Sequence, residues 1–135
     1  MAAFSSLSRF KNTGLLLLRI GVGTMFITHG YPKLVGGPDY WAGVGNAMGH
    51  IGIHFLPVVW GLLAAIVETL GGVFFIIGFF FRPTALLLAF TMCIATVHHL
   101  KSGDGLATAS HAIEIGFVFL GLAFVGPGKY SVDKR

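Results

Sequence analysis

Seven ionisable side chains lie inside long apolar stretches of this sequence: Arg19, His29, Glu68, His98, His99, His111 and Glu114. In an apolar surrounding such groups are costly, so each needs a partner or a task. The types present suit proton chemistry. Carboxylates and histidines supply acids and bases around neutral pH, and the arginine supplies a permanent cation. In "SHAIEIGFVFLGLAFVG", residues 110–126, His111 precedes Glu114 by three positions, which on a helix puts both on one face about one turn apart. A hydrogen bond between them would fix the imidazole tautomer and raise its basicity. Arg19 is expected to reach Glu68, Glu114 or both, satisfying groups that lipid cannot. Two carboxylates sharing one arginine would hold a proton and titrate as a unit.

The elements that carry these residues are long apolar runs. The chain has 135 residues, 55% of them hydrophobic and only 10% charged, with a mean hydropathy of +0.83. A soluble domain carries about 25% charged residues, so water is not the solvent for most of this surface. The length fits one domain, taken as residues 1–135. Four runs stand out, at 12–31, 57–81, 83–100 and 106–125. Each is close to the roughly 20 residues that a helix needs to cross a bilayer. None shows the alternation of a barrel strand, and lipid admits only helices or closed barrels. The expected fold is an all-α membrane protein, a four-transmembrane-helix bundle. "FFRPT" leaves almost no loop between the second and third helices, and "KSGDG" makes a short turn before the fourth. Residues 32–56 form the one long connection, whose second half reads as a short surface helix anchored near Trp41 and Trp60.

Counting Lys and Arg gives the orientation. Arg9, Lys11, Arg82, Lys129, Lys134 and Arg135 fall on the side of the termini, against Lys33 and Lys101, beside Asp39 and Asp104, on the other. Both termini are therefore expected in the cytoplasm and the long connection outside. Rising 1.5 Å per residue from the inner end, Arg19 comes at roughly 9 Å, and Glu68 and Glu114 at roughly 16–18 Å. His29, His98 and His111 follow at roughly 21–24 Å. The layers are a cation lowest, carboxylates near the midplane and histidines toward the outer side.

Several classes are excluded or weakened. The net charge is +4 and the pI about 9.6, but the basic residues sit at the ends of apolar runs rather than along one stripe. That suits anionic lipid and not nucleic acid. Cys93 is the one cysteine, so no disulfide or CxxC pair exists within the chain, and it reads as a small buried packing residue. His50 and His54 are spaced i, i+4, but two ligands alone do not make a metal site, and no metal centre is expected. The first run contains Arg19 and ends at "THGYPK" without a small-residue cleavage site, so it reads as a retained span. Glycines within the spans read as close helix contacts or as room for a flat ligand. His98 and His99 stand at a helix end, and their doubling leaves open which one faces inward.

Together, "THGYPKL", "ETLGGVFFIIGFFFRPTALLLAF", "HHLKSG" and "GPGKYSVD" resemble the DoxX family of small four-helix membrane proteins, over about Leu15 to Asp133. The resemblance implies a four-helix fold in a prokaryotic cytoplasmic (inner) membrane. It further implies quinone-linked redox chemistry, since the family takes its name from a subunit of an archaeal thiosulfate:quinone oxidoreductase. Its patterned polar positions match Arg19, His29, Lys33, Glu68, His98 or His99, and Glu114. Physically, "HGYPKL" reads as a Gly-Tyr-Pro turn that ends the first helix and sends Lys33 to outer headgroups. "GPGKY" reads as a stop after the fourth helix, with Tyr130 in the interfacial aromatic belt and Lys129 near anionic lipid.

The function expected is that of a membrane subunit of a quinone-linked oxidoreductase. Glu114, His111 and Glu68 are the expected catalytic proton-handling groups, and His29, Arg19, His98 and His99 the expected quinone-binding groups. The sequence carries no flavin, haem or iron–sulfur signature, so electrons would come from a partner protein. Two other classes fit the same residues: a non-enzymatic anchor or assembly factor for a peripheral enzyme, and a small proton-coupled transporter. The last needs a homo-oligomer, because four helices enclose a narrow interior.

Overall fold

The computed structural model describes residues 3–134, and all of the regular structure among them is helical. Arg135, counted above with the basic residues, lies outside the described residues. A 3-10 turn at Ser5–Phe10 leads into α1 (Lys11–Val35). Then come α2 (Pro38–Gly45), a second 3-10 turn (Asn46–Ile51), α3 (Pro57–Ile77), α4 (Phe81–Lys101) and α5 (Leu106–Val125). The helices α1, α3, α4 and α5 are each long and apolar enough to cross a membrane.

Several boundaries differ from the sequence reading: α3 ends at Ile77 rather than at 81, and α4 begins at Phe81 rather than at 83. "HGYPKL" does not end α1, which continues through Pro32 to Val35. Pro32 has no N–H to return to the Thr28 carbonyl, and the helix runs on for less than one turn beyond it. Continuity keeps Lys33 on the face of His29, four residues earlier. The short helix also lies in the first half of the connection. Gly37 at φ +87° followed by Pro38 at the first helical position starts it there, and a 3-10 turn follows.

Close helix contacts are made through glycine. On α1, Gly23 faces the Gly72 carbonyl of α3, 2.8 Å from where a Cβ would sit, and Gly30 lies against the Thr69 nitrogen at 2.7 Å by the same measure. α2 folds back on the start of α3, with Gly45 against the Pro57 backbone and Gly61 against that of Trp41. The core is aromatic: Phe75 stacks on Phe81 at 4.9 Å and meets Phe119 edge-on at 5.2 Å. Phe26 of α1 meets Phe119 of α5 at 4.9 Å. Cys93 is exposed rather than buried, on the outer face of α4.

At the end that holds both termini the chain is clasped. Gly78, at φ +69°, ends α3, and the Phe79 N–H donates back to the Phe74 carbonyl at 2.9 Å. The tail after α5 returns beneath this turn. Its Asp133 carboxylate accepts from the Phe80 and Phe81 amides at 2.9 and 2.7 Å, capping α4. Arg82 donates to the Ala123 and Phe124 carbonyls at the end of α5. "GPGKYSVD" is thus built into the fold: Lys129 donates its amide to Asn12 at 2.9 Å, and Val132 donates its own to Ile77 at 3.0 Å.

Candidate functional site

α3 packs between α1 and α4, and α5 packs on α4. Among the described residues, no Cα of α1 comes within 8 Å of one on α5. The two edge helices meet through the Phe26–Phe119 pair instead, and a groove of about 440 Å³ opens between them. Its walls include Gly21, Met25, Met92, Ala112 and Ile115, and its polar groups are His29, Lys33, Glu68, His99, Thr108 and His111.

Each polar group is held by its helix. The close approach at Gly30 brings Glu68 of α3 against α1, where it is only 4% exposed. Lys33 reaches it from one turn beyond His29, with Nζ at 2.9 Å from Oε1 and 2.8 Å from Oε2. The pair neutralises a carboxylate that burial alone would penalise. The indole of Trp41 in α2 donates to the Lys33 carbonyl at 2.8 Å and fixes that end of α1. Across the groove, the His29 and His111 rings lie nearly parallel, 6.1 Å apart and inclined by 24°. His99 enters from α4 with Nδ1 at 2.7 Å from Asp104 Oδ2, so Nε2 is the nitrogen it can offer the groove. Such a site can offer imidazole N–H donors or acceptors from α1, α4 and α5 to the edge of a flat molecule.

The expected residues divide. His29, Glu68, His99 and His111 come together, while Arg19, His98 and Glu114 stand elsewhere. The Arg19 guanidinium pairs with neither carboxylate. It donates to the Phe75 carbonyl at 3.1 Å, to Pro127 at 3.0 Å, to Tyr130 at 2.6 Å and to Ile76. Its side chain descends toward the termini because the carbonyls ending α3 and the returning tail lie there. His98 turns away from the groove to His50, Nδ1 to Nε2 at 3.2 Å. Glu114 sits nine residues into α5 on an exposed face, with no hydrogen bond to His111 or to any described side chain.

The sequence reading sends Lys33 to headgroups rather than to Glu68 and does not single out Gly21 among the span glycines. The i, i+4 spacing of His29 and Lys33 carried the first signal, hidden by reading Pro32 as a helix end. The pair gives a direct expectation. Lys33→Met strands the Glu68 carboxylate and should cost roughly 3 kcal/mol, whereas Lys33→Met with Glu68→Leu should regain most of it. Thermal unfolding in nanodiscs measures both. A double variant as unstable as the single one would mean that the pair is not the energetic unit.

Four spanning helices around a polar, laterally open groove define a small polytopic membrane protein. The DoxX family profile matches residues 14–101, and the chain belongs to that family. It is 33% identical over 129 residues to the inner membrane protein YphA of Escherichia coli K12, covering 90% of this chain and 89% of that one. It is 32% identical over 133 residues to the inner membrane protein YqjF of the same organism, covering 95% of each. An uncharacterized protein of Haemophilus influenzae is 28% identical over 137 residues, covering 97% of this chain and 96% of its own. No solved structure matches. Family and spans together make this a multi-pass protein of the bacterial inner membrane.

Proposed function

We propose that the protein is the membrane subunit of a quinone-linked oxidoreductase and binds the quinone head group in the groove between α1 and α5. One observation carries the reading: an apolar, laterally open groove of about 440 Å³ has imidazoles on both walls and an ion pair at its end. That volume lies within the roughly 300–1,000 Å³ of small-molecule sites. A lipid-soluble ligand enters from the bilayer without crossing water, and its ring lies against Met25, Phe26 and Ile115.

The residues fit such a ligand by their chemistry. His29 and His111 face each other across the groove and orient two carbonyl or hydroxyl oxygens by hydrogen bonds. Lys33 and Glu68 fix the polar end. His99, braced by Asp104 at the end of α4, passes protons between groove and surface. When bound, a quinone supplies two-electron, two-proton redox chemistry, with electrons from a partner protein. With both termini in the cytoplasm, as the basic residues favour, the groove opens in the outer half of the bilayer.

A photoreactive short-chain quinone, cross-linked to the protein in nanodiscs and mapped by peptide mass spectrometry, tests this. Labels should concentrate on α1 and α5 beside His29 and His111. His111→Ala should lower them about tenfold, the worth of one hydrogen bond near 1.4 kcal/mol. Labels spread evenly over lipid-facing positions such as Leu86 and Phe90 would contradict the reading and favour an anchor without a ligand.

A further inference from the structure

Glu114 takes no part in the groove, and its position calls for a partner. It lies nine residues into the 20-residue α5, near mid-membrane, on an exposed face with no described hydrogen-bond partner. A carboxylate does not stay against lipid at that depth; it faces protein or water. α5 lies along α4 and turns Phe119 toward Phe75 and Phe26, which leaves the face of Glu114, Phe117, Gly121 and Phe124 uncovered within the chain.

We propose that a second copy of this chain covers the outer face of α5, in a twofold dimer whose axis runs along the membrane normal. Two copies inserted the same way present identical residues at identical depths, so Glu114 meets Glu114 of the second copy, with His111 one turn away on each side. The face is self-complementary in charge. Each His111 imidazole can donate a hydrogen bond to the Glu114 carboxyl of the other copy. The rest of the face fits this contact. Ala107, Glu114 and Gly121 recur every seven residues along one line, flanked by Ser110, Phe117 and Phe124. Phe117 and Phe124 are 70% and 79% exposed, and a Cβ at Gly121 would meet nothing within 4 Å, so another helix can approach closely there. A heptad line of this kind gives a shallow left-handed crossing. His111 belongs both to this face and to the wall of the groove, so the second copy would stand at the groove's mouth.

Disulfide cross-linking in native membranes tests the contact independently of any ligand. In a Cys93→Ser background, Gly121→Cys is compared with Leu86→Cys, which is exposed on α4 at a similar distance from the clasped end. Oxidation should give a product of twice the chain mass at least fivefold more abundant for Gly121→Cys. Adding Glu114→Leu should reduce it to the Leu86→Cys level, and Glu114→Gln, which still hydrogen-bonds, should keep most of it. Unchanged expression and melting of the Glu114→Leu protein show that the loss is of contact and not of fold. If Glu114→Leu lowers both, the Gly121→Cys to Leu86→Cys ratio with Glu114 intact decides. Equal yields at the two positions, or a product of a different mass, would overturn the dimer.

Discussion

Arg19→Ala should be among the most damaging single substitutions in this protein. The side chain is 1% exposed, and its fork donates to four carbonyls, those of Phe75, Ile76, Pro127 and Tyr130. Two of these end α3 and two belong to the returning tail, so one residue holds three parts of the chain together. A buried acceptor left without a donor costs roughly 1–3 kcal/mol. If half of the four find new partners, the loss is still on the order of 4 kcal/mol, comparable to the breaking of a buried ionic network. Arg19→Lys should recover less than half, because one ammonium cannot serve four carbonyls in the plane of a fork. Melting in nanodiscs, with limited proteolysis of the tail after Gly126, measures the effect. An Arg19→Ala protein that melts within about 2 °C of the parent would contradict the clasp. The same view makes Arg19 and Glu68 energetically separate, so their double-mutant coupling should stay within about 0.5 kcal/mol.

Gly21→Phe should act in the opposite manner, leaving the fold intact and closing the groove. A Cβ at Gly21 meets nothing within 4 Å, and Gly21 lines the groove. A benzyl group there takes the space of a flat ligand and removes a helix-interior glycine, which costs about 1 kcal/mol relative to alanine. Ligand labelling should fall more than tenfold with no loss of melting temperature. Gly23→Phe, two residues on, should do the reverse of sparing the fold. Its Cβ would lie 2.8 Å from the Gly72 carbonyl and force α1 off α3. A Gly21→Phe protein that binds quinone as well as the parent would place the ligand elsewhere.

Much of the fold was legible because hydropathy reports depth. All four long apolar helices follow from run lengths and positions alone. Azimuth was not legible. α4 and α5 are apolar around most of their circumference, so no stripe marks an inward face. Cys93 therefore reads as buried and Glu114 as facing the bundle interior, whereas both stand on exposed faces. Arg19 was misassigned for a related reason: charge complementarity suggested Glu68, and the competing acceptors were backbone carbonyls, which every sequence has and none displays. Glu68 found Lys33 instead, because α1 runs through Pro32. Of the doubled histidines, His99 lines the groove while His98 pairs with His50, a distinction that depends on where the connection after α2 comes to rest.

The central claim is that the α1–α5 groove holds a quinone. Its most direct test is a small-molecule inventory of the protein extracted gently with its native lipids, by mass spectrometry and absorption spectroscopy, on the parent and on Gly21→Phe. The account predicts a quinone that co-purifies with the parent and is lost from an equally well-folded variant. The same quinone content in both, or none in either, would contradict it.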